Sequence, residues 1–172
     1  AETRDVVDIV EDLLVTARAE AGQLQVTTEP CDLTAEMHRI AELMGGDVAA
    51  GRAVWVSADP VRLRQVLRNL LSNAHRHGGP NVRMDVAANA DSAVFAIRDN
   101  GEALPDEERD RIFMPYQRSG GESVVESVGL GLHVARLLAR KMGGDLTYDH
   151  DGTDTLFRLH LPLLDEAATE RS

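Results

Sequence analysis

A chain of 172 residues with 43% hydrophobic and 27% charged residues has the composition of one globular domain and not of a disordered or fibrous protein. Its formal net charge of −11 leaves no basic stripe to neutralise phosphates, so we expect no binding to nucleic acid. The single cysteine, Cys31, provides no disulfide framework and fits a reducing, cytosolic compartment, and no apolar run approaches the roughly 20 residues that span a bilayer.

The chain opens with a predicted helix over residues 1–20. Its apolar residues alternate at spacings of four and three, which is the pattern of one helical face. They are Val6, Val10, Leu13 and Ala17. Gly22 ends the helix, a short extended piece is expected over 23–28, and Pro30 is expected to interrupt the backbone.

Two further helices have clear start signals. Asp32 is a suitable N-cap for a helix over 33–44. After a predicted strand over 53–57, the pair Asp59-Pro60 supplies an N-cap and a proline in the first turn of the next helix, which His77 and the following glycines end.

This helix over 62–77 has an unusual flank. Its apolar stripe consists of Leu63, Val66, Leu67, Leu70, Leu71 and Ala74. Beside the stripe, Asn69 and Asn73 lie four residues apart with Arg76 one turn on, although asparagine is a poor helix former. Taken alone, this pattern fits a solvated polar edge and one wall of a binding site equally well.

The second half of the chain alternates strands with helices. The predicted elements are strands over 81–88 and 93–98, a short helix over 106–113, a loop over 117–128, a helix over 130–142 and strands over 145–150 and 155–161. This order predicts an α+β protein, a two-layer α/β sandwich.

Two loops have residues suited to a ligand. Asp99 follows a strand and precedes Gly101, so its carboxylate is placed to accept a hydrogen bond from an exocyclic amine such as that of adenine. The alternative is a simple turn. Gly129 and Gly131 open a helix, where free N–H groups favour an anion, although a flexible helix start would also explain them. A Walker-type loop is excluded, because the only lysine, Lys141, has no such context.

Each of these motifs is weak evidence by itself, but their order and spacing in the chain are specific. The helix QVLRNLLSNAHRH and the segment VGLGLHVARLLARKMGG resemble the ATP-binding catalytic domain of sensor histidine kinases, over about Leu33 to Leu161. The resemblance implies the Bergerat-type fold shared with gyrase and MutL, in which a mixed, mostly antiparallel sheet packs on helices. It also implies ATP and Mg²⁺ as cofactors.

The resemblance assigns roles along the helix over 62–77. Asn73 matches the asparagine that binds Mg²⁺, a hard cation suited by an amide oxygen. Asn69 stands where the hydrolytic relatives have a catalytic glutamate, and an amide cannot act as a general base, which fits phosphoryl transfer to histidine. Arg76 matches a basic residue facing the phosphates and His77 an aromatic position lining the nucleotide.

Other assignments lie in the loops. Asp99 is the expected adenine-reading carboxylate, and Gly101 leaves room for the base. Phe113 is the expected anchor before a lid over the site, and Arg118 a phosphate contact at the start of that lid. The remaining residues that the resemblance places at the nucleotide are Leu104, Gly129, Leu130, Gly131 and Leu132. The chain departs from the family at Ala103 and Ser127, where glycine is usual, which puts affinity and lid mobility in question.

The resemblance also divides the chain. Residues 1–22 resemble the end of the second helix of the dimerisation and phosphoacceptor hairpin, 23–164 form the catalytic domain, and 165–172 are an acidic tail expected to be disordered. The first histidine, His38, lacks an acceptor motif, so we expect the acceptor outside this chain. The implied partners are that hairpin, a response regulator and, through the hairpin, a second subunit. The implied location is the cytoplasm, either as a cytoplasmic protein or as the cytoplasmic domain of a membrane-anchored sensor.

Two alternatives remain. A degenerate module would hold nucleotide without transferring phosphate, as Ala103 and Ser127 suggest. A serine kinase of the anti-sigma-factor type shares the nucleotide site, but that group usually lacks a hairpin-like N-terminal helix. ATP hydrolysis in the manner of gyrase is disfavoured by Asn69.

Overall fold

The structure is a computed structural model that describes residues 2–116 and 129–164. Its helices are α1 (Glu2–Glu20), α2 (Leu33–Met44), α3 (Pro60–His77) and α4 (Gly131–Lys141), with a 3-10 helix at Arg111–Phe113. Its strands are β1 (Glu29–Asp32), β2 (Asp47–Val48), β3 (Trp55–Ala58), β4 (Arg83–Ala88), β5 (Ser92–Asp99), β6 (Asp145–His150) and β7 (Thr155–Pro162).

Five strands form the main sheet in the order β2-β4-β5-β7-β6. The pair β2 and β4 is parallel and the other pairs are antiparallel. Helices α2, α3 and α4 pack beside one another on this sheet. The predicted α+β sandwich with a mixed, mostly antiparallel sheet is therefore confirmed.

Helix α3 is the centre of the core. The six apolar residues of its predicted stripe are all fully buried. At its start, Asp59 Oδ1 accepts hydrogen bonds from the backbone N–H groups of Val61 at 3.1 Å and Arg62 at 3.2 Å, with Pro60 in the first turn. The cap fixes where the helix begins, and the buried stripe fixes which face points into the core. Together they determine where the polar edge with Asn69, Asn73 and Arg76 faces.

The N-terminal part of the fold differs from the sequence prediction. Strand β1 spans Glu29–Asp32 and includes Pro30, which was expected to interrupt the backbone. Among the strands of the described residues, β1 pairs with β3 alone, and Pro30 lies opposite Ser57. Proline is tolerated there because β1 is an edge strand, where a missing N–H donor costs no ladder bond.

Two other elements were predicted inaccurately. The helix expected over 106–113 is a series of turns that ends in the 3-10 helix, and the two-residue strand β2 was not predicted. The loop over 117–128 and the tail over 165–172 lie outside the described residues. Among the helices of residues 2–116 and 129–164, none combines the length and the hydropathy of a membrane-spanning segment.

Candidate functional site

The polar edge of α3 runs from a buried to an exposed end. Asn69 is only 8% exposed, Asn73 is half-buried, and Arg76 and His77 are exposed. Asn69 Nδ2 donates a hydrogen bond to the carbonyl oxygen of Gly131 at 3.1 Å. The edge of α3 is thus joined to the start of α4, and the structure brings these two predicted site regions together.

Asp99 ends β5 and is 3% exposed. Its Oδ1 accepts a hydrogen bond from the Gly101 N–H at 2.8 Å, which leaves Oδ2 as the oxygen that this turn does not use. Burial raises the pKa of Asp99, and the nearby Asp154 adds to the increase; the Gly101 N–H, His77 and His150 act in the opposite direction. A desolvated carboxylate held by one backbone donor is a strong acceptor for a second N–H group.

Two glycines enclose this carboxyl group. Gly78, which follows α3, lies so close that a Cβ atom on it would overlap the Asp99 carboxyl carbon. A Cβ on Gly101 would lie 2.7 Å from Asp99 Oδ1 and 3.1 Å from the His77 carbonyl oxygen. The end of α3 and the end of β5 therefore meet at Asp99. The Asp99 carboxyl group fits there because Gly78 and Gly101 have no side chains.

A row of aromatic rings supports the loop after Asp99. Tyr148 Oη accepts a hydrogen bond from the Leu104 N–H at 2.9 Å. The Tyr148 ring lies edge-on to Phe157 at 5.4 Å, and Phe157 lies edge-on to Phe113 at 6.3 Å. The Arg136 guanidinium covers the other part of this row, 4.5 Å from the centroid of Phe113. Leu104 and Phe113 are thereby held in fixed positions on one side of the site.

The segment expected to form a lid has fixed ends. The Tyr116 N–H donates a hydrogen bond to the Gly129 carbonyl oxygen at 3.0 Å. The residues on either side of 117–128 therefore lie next to each other. Tyr116 has a φ of 62° and Gly129 a φ of 70°. Arg118 and Ser127, two positions of interest in the sequence, lie outside the described residues.

Helix α4 begins without a side-chain cap. Leu130 occupies the N-cap position, makes no side-chain capping bond and is buried, as the anchor of the first turn. Leu132, two residues further on, is partly buried and packs against the core. His133 Nδ1 lies 3.0 Å from the Phe113 carbonyl oxygen, which fixes this start of α4 to the 3-10 helix. N–H groups at the start of α4 are therefore not occupied by a side-chain cap.

The donor atoms available fit a metal only together with a phosphate. No group of three or more His, Cys, Asp or Glu side chains able to hold a metal occurs in the described parts of the chain. The amide oxygens of Asn69 and Asn73 are hard donors of the kind that Mg²⁺ accepts, but Mg²⁺ keeps several waters and takes few protein ligands. A magnesium ion is accommodated here if it arrives with the phosphates of a nucleotide.

Three residues of this region were not predicted from the sequence. Gly78 resembled an ordinary helix end, and Tyr148 is one of several residues in an alternating strand. Asp12 of α1 accepts hydrogen bonds from Asn69 Nδ2 with both carboxylate oxygens, each at 3.3 Å. Asp12 and Asn69 are 57 residues apart, so no local pattern indicates this contact.

The comparisons with known proteins agree with this geometry. The family model of histidine kinase-, DNA gyrase B- and HSP90-like ATPases matches residues 58–165. The signal transduction histidine-protein kinase AfsQ2 of Streptomyces coelicolor is 34% identical over 168 residues, which cover 94% of this chain and 31% of the relative. The aerobic respiration control sensor protein ArcB of Escherichia coli K12 is 29% identical and is covered to 23% of its length.

Solved structures share the fold. Full-length ShkA in complex with AMPPNP superposes with a TM-score of 0.77 at 26% identity, over 94% of this chain and 37% of that one. The Acinetobacter baumannii histidine kinase AdeS superposes with a TM-score of 0.71 at 22% identity, over 91% of this chain and 77% of that one.

The chain belongs to the family of histidine kinase-, DNA gyrase B- and HSP90-like ATPases. It represents the ATP-binding module of that family in the form found in sensor histidine kinases. It spans about a third or less of the length of the curated relatives named above.

Proposed function

We propose that this chain binds ATP with Mg²⁺ and transfers the γ-phosphoryl group to a histidine on a helical hairpin outside the chain. The observation that carries the proposal is the buried Asp99 carboxylate, held by Gly101 at the end of β5 and enclosed by Gly78. A buried acceptor with one oxygen unused by the turn fits the exocyclic amine of adenine. A guanine would instead bring its carbonyl oxygen against the carboxylate.

The phosphates belong at the other end of the polar edge. From Asp99 the edge runs back along α3 through His77, Arg76 and Asn73 to Asn69, which touches the start of α4. The uncapped N–H groups of Leu130 to Leu132 and the helix dipole favour an anion there. Asn73 is the proposed ligand of the magnesium ion, which would shield the phosphate charges; Arg76 and, from the lid, Arg118 are proposed phosphate contacts.

The amide at position 69 decides between transfer and hydrolysis. It has no lone pair basic enough to take a proton from water, and its N–H groups are already donated to Asp12 and Gly131. A site that positions phosphate without activating water is suited to an acceptor that is itself a nucleophile, such as the imidazole of a histidine. The hairpin, a response regulator and a second subunit are the proposed partners, and the cytoplasm, where ATP is available, is the proposed location.

The departure at Ala103 does not favour a degenerate module. Ala103 is exposed, and in the described part of the chain Tyr116 is the one non-glycine residue with a positive φ, so Ala103 needs no glycine-like conformation. The neighbouring Leu104 N–H is satisfied by Tyr148. The loop after Asp99 therefore forms with alanine in place.

Titration with Mg·ATP tests the binding part of the proposal. We expect Asn73→Ala to weaken binding only when magnesium is present, and Asp99→Asn to weaken binding with or without magnesium, by about tenfold or more. Asp99→Asn preserves the shape of the side chain and its bond from Gly101, but replaces Oδ2 with a donor that faces the adenine amine.

Two control variants separate the site from general effects. Asp91→Asn makes the same chemical change in the turn at the opposite end of β5, and His75→Ala removes an exposed side chain of α3. Both should bind as the wild type does. Equal magnesium-dependent affinity in the wild type, Asn73→Ala and Asp99→Asn would contradict the assignment of this site.

A further inference from the structure

The N-terminal helix reaches the candidate site through a single carboxylate. Asp12 of α1 is 7% exposed and accepts three hydrogen bonds from α3. Gln65 Nε2 donates at 2.9 Å, and Asn69 Nδ2 lies 3.3 Å from each carboxylate oxygen. Burial raises the pKa of Asp12, while the Gln65 and Asn69 donors lower it. A carboxylate desolvated to this degree is retained at a cost, which its contacts with α3 must offset.

These contacts determine which way the Asn69 amide points. Its nitrogen faces the Asp12 carboxylate and the Gly131 carbonyl, and both of these groups only accept hydrogen bonds. Rotation of the amide by half a turn would place its oxygen against both acceptors and lose every bond. The side chain is therefore locked, with Nδ2 toward α1 and α4 and Oδ1 away from them.

The donor beside Asn69 is oriented in the same way. Arg62 Nη1 donates to Gln65 Oε1 at 3.0 Å, which leaves the Gln65 amide nitrogen facing Asp12. Next to this row, Arg68 contacts Asp8 at 3.3 Å and Glu11 at 2.8 Å. Three residues of α3 at positions 65, 68 and 69 thus meet three acidic residues of α1, and Asn69 of this group also bonds the first residue of α4.

We propose that Asp12 is a positioning residue of the nucleotide site, which fixes the Asn69 amide in a single orientation where α3 meets the start of α4. This inference rests on the proposed function. Asp12 does not touch the nucleotide; it acts through Asn69. Its consequence is that the packing of α1 on α3 and the affinity of the site for a magnesium nucleotide are coupled, because the same amide takes part in both.

The test uses Asp12→Asn, which preserves the shape of the side chain and removes a buried charge. An amide at position 12 accepts at one atom and donates at the other, so it bonds equally well to an Asn69 that has turned over. We expect the affinity for Mg·ADP to fall roughly three- to tenfold, the range of one net hydrogen bond, with no loss of thermal stability. A residue that only supports the fold would lower the melting temperature instead.

Glu11→Gln is the matched control. It weakens another contact between α1 and α3, the one with Arg68, but leaves Asn69 untouched. In ¹⁵N-labelled protein, the side-chain amide resonances of Asn69, assigned by their absence in Asn69→Ala, should move in Asp12→Asn and remain in place in Glu11→Gln. In the Asn69→Ala background, Asp12→Asn should have no further effect on Mg·ADP affinity.

The outcomes separate the inference from the function on which it rests. Wild-type affinity in Asp12→Asn, or an equal loss of affinity in the Asn69→Ala background, overturns the inference and leaves the proposed function in place. Absence of Mg·ADP binding by the wild type overturns both.

Discussion

Gly78 lies against the carboxyl group of Asp99 with no room for a side chain between them. The glycine follows the last turn of α3 and the aspartate ends β5, so this contact sets the distance between the two elements that bound the proposed adenine end of the site. Gly78 has a φ of −104°, an ordinary value, so glycine is required here for space and not for backbone conformation.

Gly78→Ala should therefore impair nucleotide binding more than stability. The added methyl group overlaps the Asp99 carboxyl carbon, and the buried carboxyl group must rotate away from Gly101 and from the proposed position of the base. We expect a loss of about tenfold or more in ATP affinity, measured by titration. Gly51→Ala is the control, because a Cβ there meets nothing within 4 Å and the affinity should not change. Equal affinity in the two variants would show that Asp99 does not need its present position.

Asp99→Asn should leave the protein as stable as the wild type, or more stable, near neutral pH. Burial raises the pKa of Asp99 from its ordinary value of 3.8, so the folded state binds the proton more tightly than the unfolded state. The resulting free-energy cost of folding is fully present above the raised pKa and disappears below about 3.8. Melting temperatures of the wild type and the variant across this range should converge as the pH falls; a variant less stable at neutral pH contradicts the assignment.

Sequence reasoning succeeded where the signal is local. The cap at Asp59, the proline beside it and the stripe of α3 are determined within one element, and all three are present in the structure. The positions of Asp99 and Gly101 after a strand also follow from neighbouring residues. The family pattern added the remaining candidates, since no single residue among them indicates a nucleotide by itself.

Contacts between distant segments could not be predicted in the same way. Pro30 argues against a strand unless it is known that β1 has a partner on one side only. The contact of Asp12 with Asn69 depends on how α1 packs on α3, and that of Gly78 with Asp99 on the approach of α3 to β5. Each of these results from packing, which the order of residue types along the chain does not specify.

Asn69→Asp should destabilise the protein by about 2 kcal/mol, because it places a carboxylate against the Asp12 carboxylate and the Gly131 carbonyl in a buried position. Chemical denaturation measures this change. Adding Asp12→Asn should recover much of the loss, since an amide at position 12 donates to the new carboxylate. A double variant as unstable as Asn69→Asp alone would show that the two side chains do not interact.

Asp145 should contribute to stability in a pH-dependent way. Burial alone would raise its pKa, but hydrogen bonds from Arg136, Arg140 and the Leu146 N–H overcome this and lower the pKa to about 2. The contribution is therefore present above about 3.8 and is lost as the pH falls through about 2.

Asp145→Asn checks this contribution. Because Asp145 is partly exposed, we expect a loss of about 1 kcal/mol or less at neutral pH, seen in denaturation curves, and a smaller difference from the wild type toward pH 2. Asp106, an exposed carboxylate paired with Arg109, provides the control: Asp106→Asn should be as stable as the wild type at neutral pH. A difference for Asp145→Asn that does not change with pH would contradict the assigned pKa.

The most direct test of the central claim is phosphoryl transfer from ATP. The wild-type chain is incubated with Mg²⁺, ATP labelled at the γ-phosphate and a separate helical hairpin that carries the proposed phosphoacceptor histidine. We expect label on a histidine of the hairpin, stable to alkali and lost in acid, and none with Asn73→Ala or without magnesium. A chain that binds Mg·ATP with the expected dependence on Asn73 and Asp99 but labels no histidine would contradict the claim.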